Sequence, residues 1–113
     1  SDFFSTSACR DLLFHVQEHR MTLPVLSNFF KENDLNFLGF EIDSSVTRSY
    51  KTRFPNDPSA TDLNNWHIYE EENPDTFKSM YQFWIQKILK GGAYWGSAVK
   101  QIIHNPNRVR ETR

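Results

Sequence analysis

At 113 residues the chain holds one domain or a piece of one, because a domain takes roughly 100–200 residues. It is 38% hydrophobic and 15% aromatic, and burying that much ring surface offsets the chain entropy that keeps disordered segments open. Thirteen basic and fourteen acidic residues leave a formal charge of −1. No broad field therefore draws it to nucleic acid or to an anionic membrane.

No stretch approaches the ~18 apolar residues of a membrane span, so a cytoplasmic protein is expected. Cys9 stands alone, which excludes an internal disulfide and a multi-cysteine zinc site. The chain opens Ser1-Asp2-Phe3-Phe4 with neither an initiator Met nor a signal-peptide pattern. That start suggests a processed terminus or an excised fragment.

Taken in chain order, Cys9, Leu12, Leu13 and Val16 fall at i, i+3, i+4 and i+7. They predict a helix over about 8–20. Thr22 suits the N-cap of a second helix, with Pro24 in its first turn and Leu23, Leu26 and Phe30 on one face. Val25 and Phe29 lie beside that face, and the helix should fade at Asn33-Asp34.

Leu35 to Ile42 is short and nearly continuous in apolar character, which predicts a strand buried on both faces. Gly39 within it suggests a close backbone approach. Ser44 or Ser45 is expected to cap a short helix carrying Val46, Tyr50 and Phe54. Pro55-Asn56-Asp57-Pro58 must end it. Thr61 is expected to cap the next helix, with Leu63, Trp66 and Tyr69 inward. Glu70-Glu71-Glu72 then sit at the unfavourable end of its dipole.

The stretch 75–90 has two readings. Phe77, Met80, Tyr81, Trp84, Ile85 and Ile88 fit a helical stripe, and periodicity favours it. A strand over 80–87 would place Tyr81, Phe83 and Ile85 on one face. Gly91-Gly92 marks a turn or hinge, and Tyr94 to Ile103 suits one more short helix. The tail from Asn105 to Arg113 is polar and basic, and too short to specify a nucleic-acid partner. The fold class is therefore α+β and helix-dominated, with one strand at 35–42 and an uncertain second at 80–87.

Chemistry concentrates on the first helix. Asp11, His15 and Glu18 share a face at i, i+4 and i+7, with His19 one turn beyond His15. His15-Val16-Gln17-Glu18-His19 spells H-x-x-E-H, in which two imidazoles can bind one zinc ion and the carboxylate can deprotonate its water. A third ligand is needed, and Glu70 to Glu72 or Glu111 are the candidates. Ion pairs along a solvated helix face are the plainer explanation. His15 is alternatively a general base. Cys9 lies in a first turn, where a thiol is activated, yet on the apolar stripe, where it is structural. Trp66, Trp84 and Trp95 suit core positions. No glycine-rich phosphate loop, dinucleotide fingerprint or nucleophile elbow occurs. So no cofactor-binding motif is present in this chain.

An ordered series of segments resembles a known family. It begins with Phe3-Phe4-Ser5 and Cys9 through Arg20, then Thr22-Leu23-Pro24 and Phe37-Leu38-Gly39-Phe40-Glu41. Phe54-Pro55-Asn56-Asp57, Asp62-Leu63-Asn64-Asn65-Trp66, Asn73-Pro74-Asp75-Thr76-Phe77 and Met80-Tyr81-Gln82-Phe83-Trp84 complete it. In this order they resemble the C-terminal part of bacterial class I S-adenosylmethionine-dependent methyltransferases, often fused to tetratricopeptide repeats. The resemblance covers roughly residues 1–87 and leaves 88–113 as an unplaced extension.

The resemblance implies that 35–42 is the sixth strand of a seven-stranded sheet and 80–87 the seventh, inserted antiparallel. It implies that S-adenosylmethionine binds upstream of Ser1. His15, Glu18 and His19 would then line the substrate side. The chain alone would bind no cofactor and transfer no methyl group. Its partner would be the rest of the methyltransferase domain. Cut from that sheet, it would leave edges and an apolar face to self-associate into a dimer or higher oligomer. Two other readings stand beside this one: a non-enzymatic protein-interaction module, and a small zinc hydrolase using His15 and His19.

Overall fold

The computed structural model describes residues 22–92 and 94–104. The predicted helix over 8–20, with Cys9, His15, Glu18 and His19, lies outside the described residues.

Helix α1 spans Leu23–Glu32. Thr22 caps it as expected: its hydroxyl accepts from the Val25 amide at 3.3 Å. Leu23, Leu26, Phe29 and Phe30 are buried and Val25 is exposed. Asn33 ends the helix by donating its side-chain amide to the Phe29 carbonyl at 2.9 Å.

Strand β1 covers Leu35–Phe40, two residues shorter than predicted. It is not buried on both faces: Leu35 is buried, Leu38 is exposed and the rest are half-buried. A bulge between Phe37 and Gly39 turns both Phe37 and Phe40 toward the core. Gly39 is there for its backbone, with φ +142, a value that L side chains rarely adopt. Nothing lies within 4 Å of where a Cβ would stand. The expected close approach is therefore replaced by a conformational demand.

Helix α2 spans Ser44–Arg53 and helix α3 spans Leu63–Glu72. Their caps sit one residue from the predicted ones. Asp43 rather than Ser44 or Ser45 caps α2, and Asp62 rather than Thr61 caps α3, taking the Asn64 and Asn65 amides on one oxygen. A carboxylate accepts these amide hydrogen bonds and also meets the positive end of the helix. Tyr50 is buried, with Val46 and Phe54 packed against the core; Leu63, Trp66 and Tyr69 are buried as the spacing predicts. The last turn of α3 is acidic and holds no basic residue.

Strand β2 spans Met80–Ile88, so the helical stripe over 75–90 is overturned. Alternation wins: Tyr81, Phe83 and Ile85 are each 0% exposed, whereas Trp84 between them is 36% exposed. A helix would have buried Trp84 beside Tyr81 and Ile85. Tertiary pairing overrides the periodicity, because β2 is the central strand and both its edges have antiparallel partners, β1 and β3.

Strand β3 spans Tyr94–His104, where one more helix was predicted. The turn before it is glycine-built as expected, with φ of 85 at Gly91 and 87 at Gly92. Those values favour a tight reversal, and the hairpin gives β2 its second ladder. The fold is α+β. Among the described residues helices do not dominate: three ten-residue helices stand beside strands of six, nine and eleven residues.

Candidate functional site

The inner face of the sheet carries an aromatic core that fixes everything else. Phe40 touches Phe77 and Trp66 edge-on or tilted, with centroids 4.6 and 5.2 Å away. Tyr50 stacks on Trp66 at 4.0 Å and 15°. Each such ring contributes roughly 1.5–3 kcal/mol by burial.

The polar ends of these rings are satisfied. The Trp66 indole donates to the Ala60 carbonyl at 2.9 Å, and the Tyr81 hydroxyl donates to Glu70 at 2.6 Å. The Tyr50 hydroxyl donates to Asp57 Oδ2 at 2.5 Å. Asp57 also accepts the Asp62 amide at 2.9 Å, so one carboxylate ties the 54–62 loop to α2 and α3. Burial and then the Asp57 contact push the Tyr50 phenol far above its ordinary value. Burial raises Asp57, but hydrogen bonds from Tyr50, the Asp62 and Thr61 amides and Ser59 outweigh it and hold the carboxyl below its usual value.

This packing leaves a cleft of about 590 Å³ at one end of the sheet. It lies where β1 leaves, α2 begins and β2 starts. Glu41 and Asp43 come from the β1–α2 connection, Asp75 and Lys78 from the approach to β2, and Met80 and Gln82 from β2 itself. The ladder holds the two sides together through the Glu41 amide, which donates to the Gln82 carbonyl at 2.8 Å.

Two of the cleft carboxylates, Glu41 and Asp43, accept from neutral donors. The Trp84 indole donates to Glu41 Oε1 at 2.9 Å. Asp43 accepts from the hydroxyl and the amide of Ser45, which lower its pKa, and Arg48 lowers it further. A neutral donor fixes a carboxylate without cancelling its charge. Three carboxylates and one ammonium, that of Lys78, belong to the lining residues, so the lining is negative on balance. Lys78 and Ser79 both stand at positive φ, 50 and 66, which brings the chain sharply into β2. The described residues lining the cleft include no histidine or cysteine. The arrangement suits holding a positively charged group rather than nucleophilic chemistry.

The predicted site residues His15, Glu18 and His19 lie outside the described residues. Among the described residues no group of three His, Cys, Asp or Glu is arranged to hold a metal ion. Of the proposed third zinc ligands, Glu70 is buried against Tyr81 and Glu72 pairs with Arg53 at 3.0 Å. Trp66 is core, as predicted, whereas Trp84 edges the cleft through Glu41.

The cleft residues are spread over forty positions and share no local motif. Only the antiparallel pairing of β1 with β2 collects them. The one sequence signal was Glu41-Ile42-Asp43 at the end of an apolar strand, acids where the pattern turns outward. No protein-family model, curated protein or solved structure matches this chain. No helix of the described residues is long and apolar enough to cross a membrane.

Proposed function

We propose that the chain is the C-terminal, substrate-side portion of an S-adenosylmethionine-dependent methyltransferase. One observation carries this reading. The two segments that the resemblance assigns to the last two strands, 35–42 and 80–87, pair directly and antiparallel as β1 and β2. Their junction opens into the acidic cleft. In this reading the cofactor is held upstream, by the rest of the domain, and the cleft faces the methyl acceptor. Methyl transfer is then chiefly a matter of positioning. His15, Glu18 and His19 remain proposed substrate-side residues, and a cytoplasmic location remains part of the proposal.

The decisive experiment is radiolabelled methyl transfer by the full protein encoded around this chain, with calorimetry of S-adenosylmethionine on the chain alone. The expected result is transfer by the whole and no binding by the part. A gene without a glycine-rich turn and acidic strand end upstream would sink the proposal, as would tight cofactor binding by the 113-residue chain.

A second reading, a non-enzymatic interaction module, is favoured by β3. This strand occupies the edge of β2 through which an inserted strand would join a larger sheet. In the methyltransferase reading a parent sheet must displace β3 or join at another edge. In the module reading β3 simply completes the sheet. Recovery of one stoichiometric partner by the chain, together with no transfer by the full protein, would select it.

A further inference from the structure

A second hollow, of about 160 Å³, opens beside the bulge of β1 and shares only Ile42 with the acidic cleft. The bulge, Thr47 of α2 and the Ser59-Ala60 end of the 54–62 loop enclose it, with Trp66 at its base. Two of its residues hold backbone conformations that L side chains rarely adopt: Gly39 stands at φ +142 and Ala60 at φ +57. Gly39 is not crowded into that shape, since nothing lies within 4 Å of where a Cβ would stand. Ala60 is buried and fixed from both sides. Its amide donates to the Asp57 carbonyl at 3.0 Å, and its carbonyl accepts the Trp66 indole at 2.9 Å. Backbone strain persists only where the surroundings over-determine it, and it gathers at ligand clamps. Here both strained residues line one hollow.

The lining narrows what can enter. The described residues around the hollow include no charged side chain, so an ion would lose its hydration for nothing. Leu38, Phe40 and Trp66 offer apolar and aromatic surface, and the hydroxyls of Thr47 and Ser59 stand among them. The Ser59 hydroxyl is already shared with that of Thr61, at 2.8 Å. The Thr47 hydroxyl has no partner among the described residues, whereas Thr52 on the same helix donates back to the Arg48 carbonyl at 3.1 Å. Size narrows the ligand further. A cavity of about 150 Å³ takes up one benzene ring, whereas sites for drug-sized ligands run to ~300–1,000 Å³.

We propose that this hollow binds a single phenolic ring. The ring packs against Phe40 and Trp66, and its hydroxyl donates to the free oxygen of Thr47. Leu38, exposed at the rim, covers the outer edge of the ring. Gly39 keeps the entrance free of a side chain. A phenolic ring arrives either as a free small molecule or as a tyrosine side chain on a peptide, and the test separates the two. The proposal rests on neither the acidic cleft nor the methyltransferase reading.

Phenol is titrated into the intact chain and followed by amide and indole resonances. The Gly39, Thr47 and Ala60 amides and the Trp66 indole N–H are expected to shift together and to saturate, with half-saturation near ~1 mM for so small a ligand. Benzene should bind about fivefold more weakly, because it leaves the Thr47 hydroxyl unpaired. Thr47→Val keeps the shape and removes the hydroxyl, so it should bring phenol down to the affinity of benzene and leave benzene unchanged. Thr47→Leu fills the hollow with a good helix former and should weaken both at least about tenfold. Competition by N-acetyltyrosinamide would assign the ring to a side chain on a peptide. Phenol binding that it does not disturb would assign the ring to a free small molecule.

The absence of saturable shifts at Gly39, Thr47 and Ala60, up to roughly tenfold above the expected half-saturation, would overturn the proposal. So would shifts centred on the exposed Trp84 and Ile102, which mark loose adsorption on the outer face of the sheet. Benzene bound as tightly as phenol by the intact chain would overturn it without recourse to any variant. Phenol bound by Thr47→Val as tightly as by the unaltered chain would do the same. None of these readouts involves S-adenosylmethionine, so failure here leaves the methyltransferase reading standing, and failure of that reading leaves this one.

Discussion

The two faces of β2 are built from the same nine residues and behave as different materials. Inward, Tyr81, Phe83 and Ile85 are wholly buried among aromatic rings. Outward, Gln82 and Trp84 sit among polar neighbours: Gln82 lines the cleft, and Trp84 lies across from Gly39 on one side and Lys100 on the other. The inner face is set by packing, where loss of volume is felt at full strength. The outer face is set by hydrogen bonds and charge, where solvent can replace what is removed. The fold depends on the first face and the candidate site on the second.

The largest break in this contrast should come from Phe83→Ala. Phe83 touches Phe30 and Phe37 with centroids 5.5 and 6.2 Å away, and truncation leaves a cavity that costs about 3–5 kcal/mol. Urea unfolding should show a much lower midpoint with an unchanged slope. Trp84→Ala one residue along should cost under ~1.5 kcal/mol, since a partly exposed ring loses less buried area. Equal losses at the two positions would mean that the sheet is buried on both faces after all.

Next in size is the Tyr50–Asp57 hydrogen bond, one of the polar contacts within the packed side. Asp57→Ala leaves the Tyr50 hydroxyl only the Asp62 carbonyl, at 3.5 Å, and should cost about 1–3 kcal/mol. The pair also predicts a pH profile with two limbs. Asp57 is held below its ordinary value in the fold, so its contribution is present above pH ~4 and is lost as pH falls through the folded value. Tyr50 is pushed up in the fold, so its contribution is full below pH ~10 and is lost as pH rises beyond that. Tyr50→Phe should remove the alkaline limb and reduce, without abolishing, the acid one, because the Asp62 and Thr61 amides and Ser59 still hold Asp57 down. A variant that flattened only the acid side would show that the phenol titrates as it does in the unfolded chain.

Of comparable size is Gly39→Ala. There is room for the methyl group, so any loss reports backbone conformation alone. Holding an alanine at φ +142 should cost about 1–3 kcal/mol, the lower figure if the bulge relaxes. An unchanged midpoint would mean that β1 can shift register without penalty.

How much of this was legible in the sequence follows from the range over which each feature is decided. Local chemistry was readable: the Thr22 cap, the inward trio Leu63, Trp66 and Tyr69, and the glycine turn at 91–92 each depend on a few neighbouring residues. The caps of α2 and α3 slipped by one position because an Asp and a Ser or Thr adjoin at each, and the carboxylate wins near the dipole. Features decided across the chain were left open or misread. Met80 to Ile88 carries both a helical and a strand pattern, and only pairing with β1 and β3 chooses between them. The stretch Tyr94 to Ile103 follows the same logic, as it becomes a strand because β2 offers it an edge. The cleft was invisible for the same reason: Glu41 and Asp75 come to line one cleft only because β1 pairs with β2, and no spacing encodes that.

The least effect is expected at Arg53 and Glu72, an ion pair with two-point geometry. The guanidinium meets both carboxylate oxygens, at 3.1 and 3.0 Å, and its carbon lies 4.5 Å from the Phe54 ring centre. It joins the ends of α2 and α3, and each side chain is close to half exposed. Each partner shifts the other toward its charged form, Arg53 up and Glu72 down. Yet water and salt screen both groups, and ordering two long side chains offsets most of the attraction. Glu72→Gln should therefore leave the unfolding midpoint unchanged at 0.15 M salt. A measurable drop that vanished at high salt would show that α2 and α3 are held together by charge at their ends as well as by Tyr50 stacked on Trp66, and the division between a packed interior and a charge-governed exterior would have to be redrawn there.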